Sequence, residues 1–144
     1  MLLIAHVLRD KGAVVHTLSA DATLEQAAKE LNLRKVGALV VLADNGELLG
    51  VLSERDVVRE VAQRGAAALA DRVSSAMSRT VITATTQEPL DDGLSRMTDR
   101  RIRHLPVVEN GRLIGIVSIG DLVKHRIAAV EAEAASLQAY IAAQ

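Results

Sequence analysis

Hydrophobic and polar positions succeed one another along this chain in alternating helix-like and strand-like patterns. The apolar residues from Leu3 to Leu8 predict a short helix leading into a strand near Val14-Val15-His16-Thr17. Leu24, Ala27, Ala28 and Leu31 then recur at the i, i+3, i+4, i+7 spacing of one buried helix face. Asp21 or Thr23 stands where that helix would be capped, with Gln26 as the capping-box partner of Thr23. A continuous apolar run from Val36 to Leu42, with Gly37 inside it, predicts a buried strand. Asp44-Asn45-Gly46 turns the chain and Leu48-Leu49-Gly50-Val51-Leu52 runs back, since Asn-Gly between apolar runs is a strong hairpin signal. Ser53 opens a further helix through Val57, Val58 and Val61.

After an alanine-rich connector, Gly65 to Ala70, the same succession restarts at Asp71. Asp71 to Ser78 predicts a short helix and Val81-Ile82-Thr83 a strand. Adding 66 to the apolar positions of the earlier helix gives Leu90, Gly93, Leu94 and Met97, with Pro89 in the first turn, where a missing N–H costs little. Ile102 to Val108 repeats the apolar run, and Asn110-Gly111 repeats Asn45-Gly46 at an offset of 65. Gly50-Val51-Leu52-Ser53-Glu54-Arg55-Asp56 returns as Gly115-Ile116-Val117-Ser118-Ile119-Gly120-Asp121. The first half is therefore duplicated as β-α-β-β-α. This gives repeats at 1–66 and 71–128 and a helical extension at 129–144, and it sets the fold class as α/β (α+β).

Composition narrows the function. A chain of 144 residues, 49% hydrophobic and 24% charged, suits one ordered unit or two small lobes sharing a core. With 17 basic and 18 acidic residues, the net charge of −1 gives no general attraction to nucleic acid or acidic membrane. Tyr140 is the one aromatic, so bases cannot stack on aromatic platforms. The absence of Cys excludes disulfides, thiolate-bound zinc and thiol nucleophiles. Met1-Leu2-Leu3-Ile4 is too short to span a membrane and lacks the basic start of a signal peptide, so the cytoplasm is the expected location.

Enzyme readings find little support. His6, His16, His104 and His125 form no metal-binding pair with carboxylates. Ser53 and Ser118 have no base at a spacing recognisable for nucleophilic catalysis. No Gly-x-x-x-x-Gly-Lys-Ser/Thr run is present for nucleotide hydrolysis. The expectation is a protein that is not an enzyme. The motif Ser-x-x-Asp, taken alone, is a helix start in which the serine side chain caps backbone N–H groups.

Taken together, the duplicated β-α-β-β-α order, the Asn-Gly hairpin, the doubled Gly-h-h-Ser-x-x-Asp element (h, apolar) and Ile102-Arg103-His104-Leu105-Pro106-Val107 resemble a tandem pair of CBS (cystathionine β-synthase) domains, a Bateman module, over about residues 1–128. The resemblance implies two small lobes related by a pseudo-twofold, each with a cleft. It implies a stand-alone regulatory module that senses an adenine-containing ligand, with AMP foremost and NAD, ADP or ATP as alternatives. S-adenosylmethionine is a further ligand of such modules. It also implies a homodimer and a regulated protein in trans, with neither nucleic acid nor membrane as partner.

Physical chemistry supplies a second role for the motif beside capping. A helix N-terminus favours phosphate, and the Ser53 and Ser118 hydroxyls would add donors to such a site. Asp56 and Asp121, as acceptors only, suit the hydroxyls of a ribose, and the resemblance assigns both residue types these roles. Gly50 and Gly115 are read as serving the fold through close packing or a strand irregularity. Without aromatics, an adenine ring would lie between aliphatic side chains. Val15, Thr17, Val36 and Leu39 are the candidates in one repeat, and Val81, Thr83, Ile102 and Leu105, followed by Pro106, in the other. Arg103 and His104 replace Gly37 and Ala38 of the first repeat, and by resemblance they would reach ligand phosphates. The alternative is a solvated arginine and a satisfied buried histidine. Arg55 either meets a phosphate or is a surface residue of a first helical turn.

The rival function is a structural or dimerisation module without a physiological ligand, acting through protein contacts. It draws on the tail, where Ile127, Val130, Ala134, Leu137 and Ile141 are spaced 3, 4, 3, 4, as in a coiled-coil seam. A helix from about Leu122 to Ile141 offers that face to a second subunit, or folds it back over its own lobe.

Overall fold

A computed structural model of the chain describes residues 1–12 and 14–144. Its elements in chain order are α1 (Ile4–Lys11), β1 (Thr17–Ser19), α2 (Leu24–Arg34), β2 (Ala38–Leu42), β3 (Leu48–Ser53) and α3 (Glu54–Arg64). Two short 3-10 segments, Gly65–Ala70 and Val73–Ser75, lead to α4 (Leu90–Arg100), β4 (His104–Glu109), β5 (Arg112–Ser118) and α5 (Ile119–Ala142). The mixed α/β class read from the sequence is the class observed.

The chain forms two compact units, whose division differs from that of the sequence repeats. One unit is Val14–Ile82; the other joins residues 1–12 to Thr83–Gln144. Each repeat has thus sent its opening segment to the unit that holds the other repeat's sheet.

In the unit Val14–Ile82, β1 runs parallel to β2 and β2 antiparallel to β3. Thr23 caps α2 as expected: its Oγ1 accepts from Gln26 N–H at 3.2 Å, and Thr23 N–H donates to Gln26 Oε1 at 2.9 Å. Leu24, Ala27 and Leu31 of α2 are buried with Leu39, Val41, Leu52 and Val57. The segment after residue 70 closes this core with Val73, Ala76 and Met77. Backbone bonds fix it there, from Val73 N–H to Ala22 O (2.7 Å) and in both directions between Val51 and Ser78 (3.0 and 3.1 Å). The short helix expected over Asp71 to Ser78 is reduced to the single 3-10 turn Val73–Ser75.

The second unit is built on the β4–β5 hairpin. Ile4 and Val7 of α1 are buried in this unit, as are Leu90 and Met97 of α4, Leu105, Val107 and Val117 of the sheet, and Leu122 of α5. Pro89 is the N-cap of α4, one residue before the first turn in which it was expected. Val81-Ile82-Thr83 is not a strand; the pairing falls instead on Ala84, which bridges to Val107. In the first repeat, too, the strand expected at Val14-Val15-His16-Thr17 begins only at Thr17, so the counterparts of Val81 and Ile82 lie outside β1 as well. The further loss at Thr83, counterpart of Thr17, traces to a proline. In the first repeat Val40 N–H donates to His16 O at 3.3 Å. Pro106 stands in the position of Val40 and has no N–H to give to the carbonyl of residue 82. Pairing survives one step on, where Ala84 N–H donates to Pro106 O and Val108 N–H to Ala84 O, both at 2.9 Å.

The two Asn-Gly pairs make different turns. Asn110 and Gly111 both have positive φ (51° and 77°) and form the whole two-residue loop of the β4–β5 hairpin. Of Asn45 and Gly46, only the glycine has positive φ (87°), and the loop between β2 and β3 runs from Ala43 to Glu47.

Close packing is the reason for glycine at the head of both motifs. A Cβ on Gly50 would lie 2.5 Å from the carbonyl oxygen of Ser78, and one on Gly115 2.6 Å from a methyl group of Leu8. The first obstacle is backbone and the second the end of a flexible side chain. We expect Gly50→Ala to cost about 2 kcal/mol in urea unfolding and Gly115→Ala clearly less. Equal losses would contradict this account.

Candidate functional site

In both units a strand ends at the motif serine and a helix begins on the next residue. Ser53 Oγ accepts from Asp56 N–H at 3.2 Å, and Ser53 N–H donates to Asp56 Oδ2 at 2.8 Å. The second copy repeats this closely, with Ser118 Oγ accepting from Asp121 N–H at 3.0 Å and Ser118 N–H donating to Asp121 Oδ2 at 2.8 Å. Each junction is a reciprocal capping box that satisfies two otherwise open donors and sets an aspartate at the positive end of a helix.

The junction also meets the strand beside it. His104 faces Ser118 across β4 and β5 as Ala38 faces Ser53 across β2 and β3. Arg103 O accepts from Ile119 N–H at 2.8 Å, and Gly37 O from Glu54 N–H at 2.9 Å. Arg103, His104, Ser118 and Asp121 are therefore gathered at one strand-to-helix corner, while glycine and alanine take the first two places in the other unit. Arg103 is exposed and His104 half-buried. Arg55 is exposed on the first turn of α3, at the first corner.

The aliphatic and hydroxyl candidates are spread more widely. Leu39 (1% exposed) and Leu105 (0%) belong to the buried cores, and Pro106 is buried in β4. Thr17 is exposed at the start of β1, whereas Val15, Val81, Thr83 and Ile102 are half-buried. The Thr83 carbonyl accepts from Arg96 Nη1 at 2.7 Å. Val36 lines an open groove of about 450 Å³ between α2 and α3, with Ala28, Leu31, Lys35, Gly37 and Val58.

Two cations at these corners were not singled out from the sequence. Lys11, at the end of α1, donates to Asp121 Oδ2 at 2.6 Å and to Ile116 O at 2.8 Å. Arg59 donates to Asp56 Oδ1 at 2.9 Å. The second pair was legible, because Asp56 and Arg59 are i, i+3 neighbours on one helix. Lys11 lies 110 residues from Asp121 in the chain, and no local spacing points to it. Burial works against the Asp121 charge, but the bonds from Lys11 and from Ser118 outweigh it and hold the carboxyl below its ordinary range. Among the described residues no group of three His, Asp or Glu could hold a metal ion, and no helix is long and apolar enough to cross a membrane.

The family model of the CBS domain matches twice, at residues 12–63 and 73–128. The chain belongs to the CBS domain family. It is 35% identical over 127 residues to the CBS domain-containing protein CBSX3, mitochondrial, of Arabidopsis thaliana, covering 85% of this chain and 62% of that one. Against a second relative, an uncharacterized 17.7 kDa protein of Acidianus ambivalens, it is 33% identical and spans 66% of the relative's length. Among solved structures, the CBS-domain containing protein ATU1752 of Agrobacterium tumefaciens superposes with a TM-score of 0.84 at 44% identity, over 86% of this chain and 92% of that one. The CBS domain pair of protein MJ0100, in complex with 5′-methylthioadenosine and S-adenosyl-L-methionine, superposes with a TM-score of 0.77 at 26% identity, over 86% and 94%. The doubled CBS domain read from the sequence is thus the family shown.

The lowered Asp121 pKa has a signed consequence. The charged carboxylate stabilises the fold above its unfolded pKa, about 3.9, and that contribution fades as pH falls through the lower folded value. Wild type should be more stable than Asp121→Asn in urea at pH 6, with the gap narrowing toward pH 3. A gap independent of pH would contradict the assignment.

Proposed function

We propose that this CBS-domain protein is a regulatory module that binds an adenine-containing ligand and catalyses no reaction itself. AMP is the first candidate, with NAD, ADP and ATP as alternatives. The module acts in the cytoplasm as a homodimer and passes its ligand state to a protein in trans. The observation that carries this reading is the Ser-x-x-Asp corner built with the same bonds in both units. The adenosine compounds bound by the CBS pair of MJ0100 support the ligand class.

In this reading the N-terminal N–H groups of α3 and α5, with Ser53 and Ser118, receive phosphate oxygens. Asp56 and Asp121 accept from ribose hydroxyls. Arg103 and His104 add positive charge and a donor at the second corner, and Arg55 does so at the first. Half-buried Val36 and Ile102 meet the adenine faces, with Thr17 and Thr83 at the ring edge. Leu39, Leu105 and Pro106 support those surfaces from the cores. One observation favours the rival reading of a module with no ligand: both aspartates are already engaged, Asp56 with Arg59 and Asp121 with Lys11.

Dye-based thermal unfolding separates the two. A ligand at one hundred times its Kd stabilises the folded state by about 2.7 kcal/mol, so AMP, ADP, ATP or NAD should raise the Tm while guanosine counterparts do not. No rise with any adenine compound at millimolar concentration favours the ligand-free reading. In calorimetry on the folded proteins, Asp121→Ala should weaken binding about tenfold or more, and Asp56→Ala less. Unchanged affinity in both would overturn the residue roles.

A further inference from the structure

The last three turns of α5 stand clear of their own unit. Every residue from Val130 to Gln144 is exposed, including Leu137 (59%) and Ile141 (61%), so the tail does not fold back over its lobe. The inner side of α5 carries Leu122, which is buried, and His125 and Ala129, which are half-buried. At about 100° per residue, the stripe Val123, Ile127, Val130, Ala134, Leu137 and Ile141 lies roughly a third of a turn from that side. It therefore faces away from the unit to which α5 belongs.

We infer that this stripe pairs with α5 of a second copy as a parallel, in-register coiled coil. The inference rests on the homodimer in the reading above and specifies its interface. The heptad assignment puts Ile127, Ala134 and Ile141 at a and Val123, Val130 and Leu137 at d. Ile127 and Ile141 at a with Leu137 at d fit two parallel strands, while valine takes the other two d positions and alanine the central a position. The flanks select the same arrangement. In parallel register Arg126 at g meets Glu131 at e of the other helix, twice over by symmetry, and Glu133 meets the neutral Gln138. An antiparallel pairing that keeps all six layers sets Glu131 against Glu131 and Glu133 against Glu133. Shifting that antiparallel register to relieve the repulsion forfeits outer layers of the seam. Arg126 is held near its place by Asp91 of α4, 2.5 Å away, at an exposed site where the bond can be shared.

The test is analytical ultracentrifugation of the full chain across a concentration series. Wild type should be dimeric at high concentration. Glu131→Arg sets Arg126 against a second arginine and should raise the dimer dissociation constant about tenfold. Arg126→Glu should do the same by setting a second glutamate against Glu131. An equimolar mixture of the two variants should recover wild-type tightness, because each helix then offers the charges the other lacks. Val130→Asp should abolish the pairing, with circular dichroism showing that the units stay folded. A dimer unmoved by Val130→Asp, or a mixture no tighter than its components, would overturn the seam and leave the homodimer standing. A monomer at every concentration would overturn both.

Discussion

Each unit depends on one junction, where a strand gives way to a helix within a single residue. At that point the sheet ladder has ended and the helix has not yet begun to satisfy its own N–H groups. Serine and the aspartate three residues on supply the missing acceptors reciprocally, at 2.8–3.2 Å in both copies. The preceding strand can meet the junction only because a glycine three residues before the serine admits a neighbouring segment, Ser78 over Gly50 and Leu8 over Gly115. Glycine, serine and aspartate are thus one mechanical element, and any ligand chemistry is built on a corner the fold already requires.

The duplication is an approximate copy, and its departures lie beside that corner. One copy carries Arg103 and His104 at the start of the strand next to the serine, the first just before it, and its aspartate is neutralised from outside its own helix by Lys11. The other carries glycine and alanine there, and its aspartate is neutralised from within its helix by Arg59. The two corners share a backbone and differ in charge.

Much of this was legible in the sequence, because the informative signals are local and repeated. The faces of α2 and α4, the Thr23 cap, the hairpins and the motif corners all follow from spacing within a dozen residues. What stayed hidden depends on partners distant in the chain. The pairing of Lys11 with Asp121 and the crossing of the opening segments between units leave no local trace. The loss of pairing at Thr83 is intermediate, since Pro106 forbids the bond but only the observed register reveals which bond is lost. The identical Asn-Gly pairs turn differently because the loop between β2 and β3 is longer than the one between β4 and β5.

The crossing of the opening segments imposes an order on folding as the chain is made. Val14–Ile82 is contiguous, so its core can close as soon as that length has emerged. Ile4 and Val7, though made before that stretch, belong to a core whose other members extend to Leu122. They must wait, apolar and uncovered, while the middle of the chain settles, and the long loop they then close is slow to form. Residues synthesised ahead of the contiguous unit are thus placed after it.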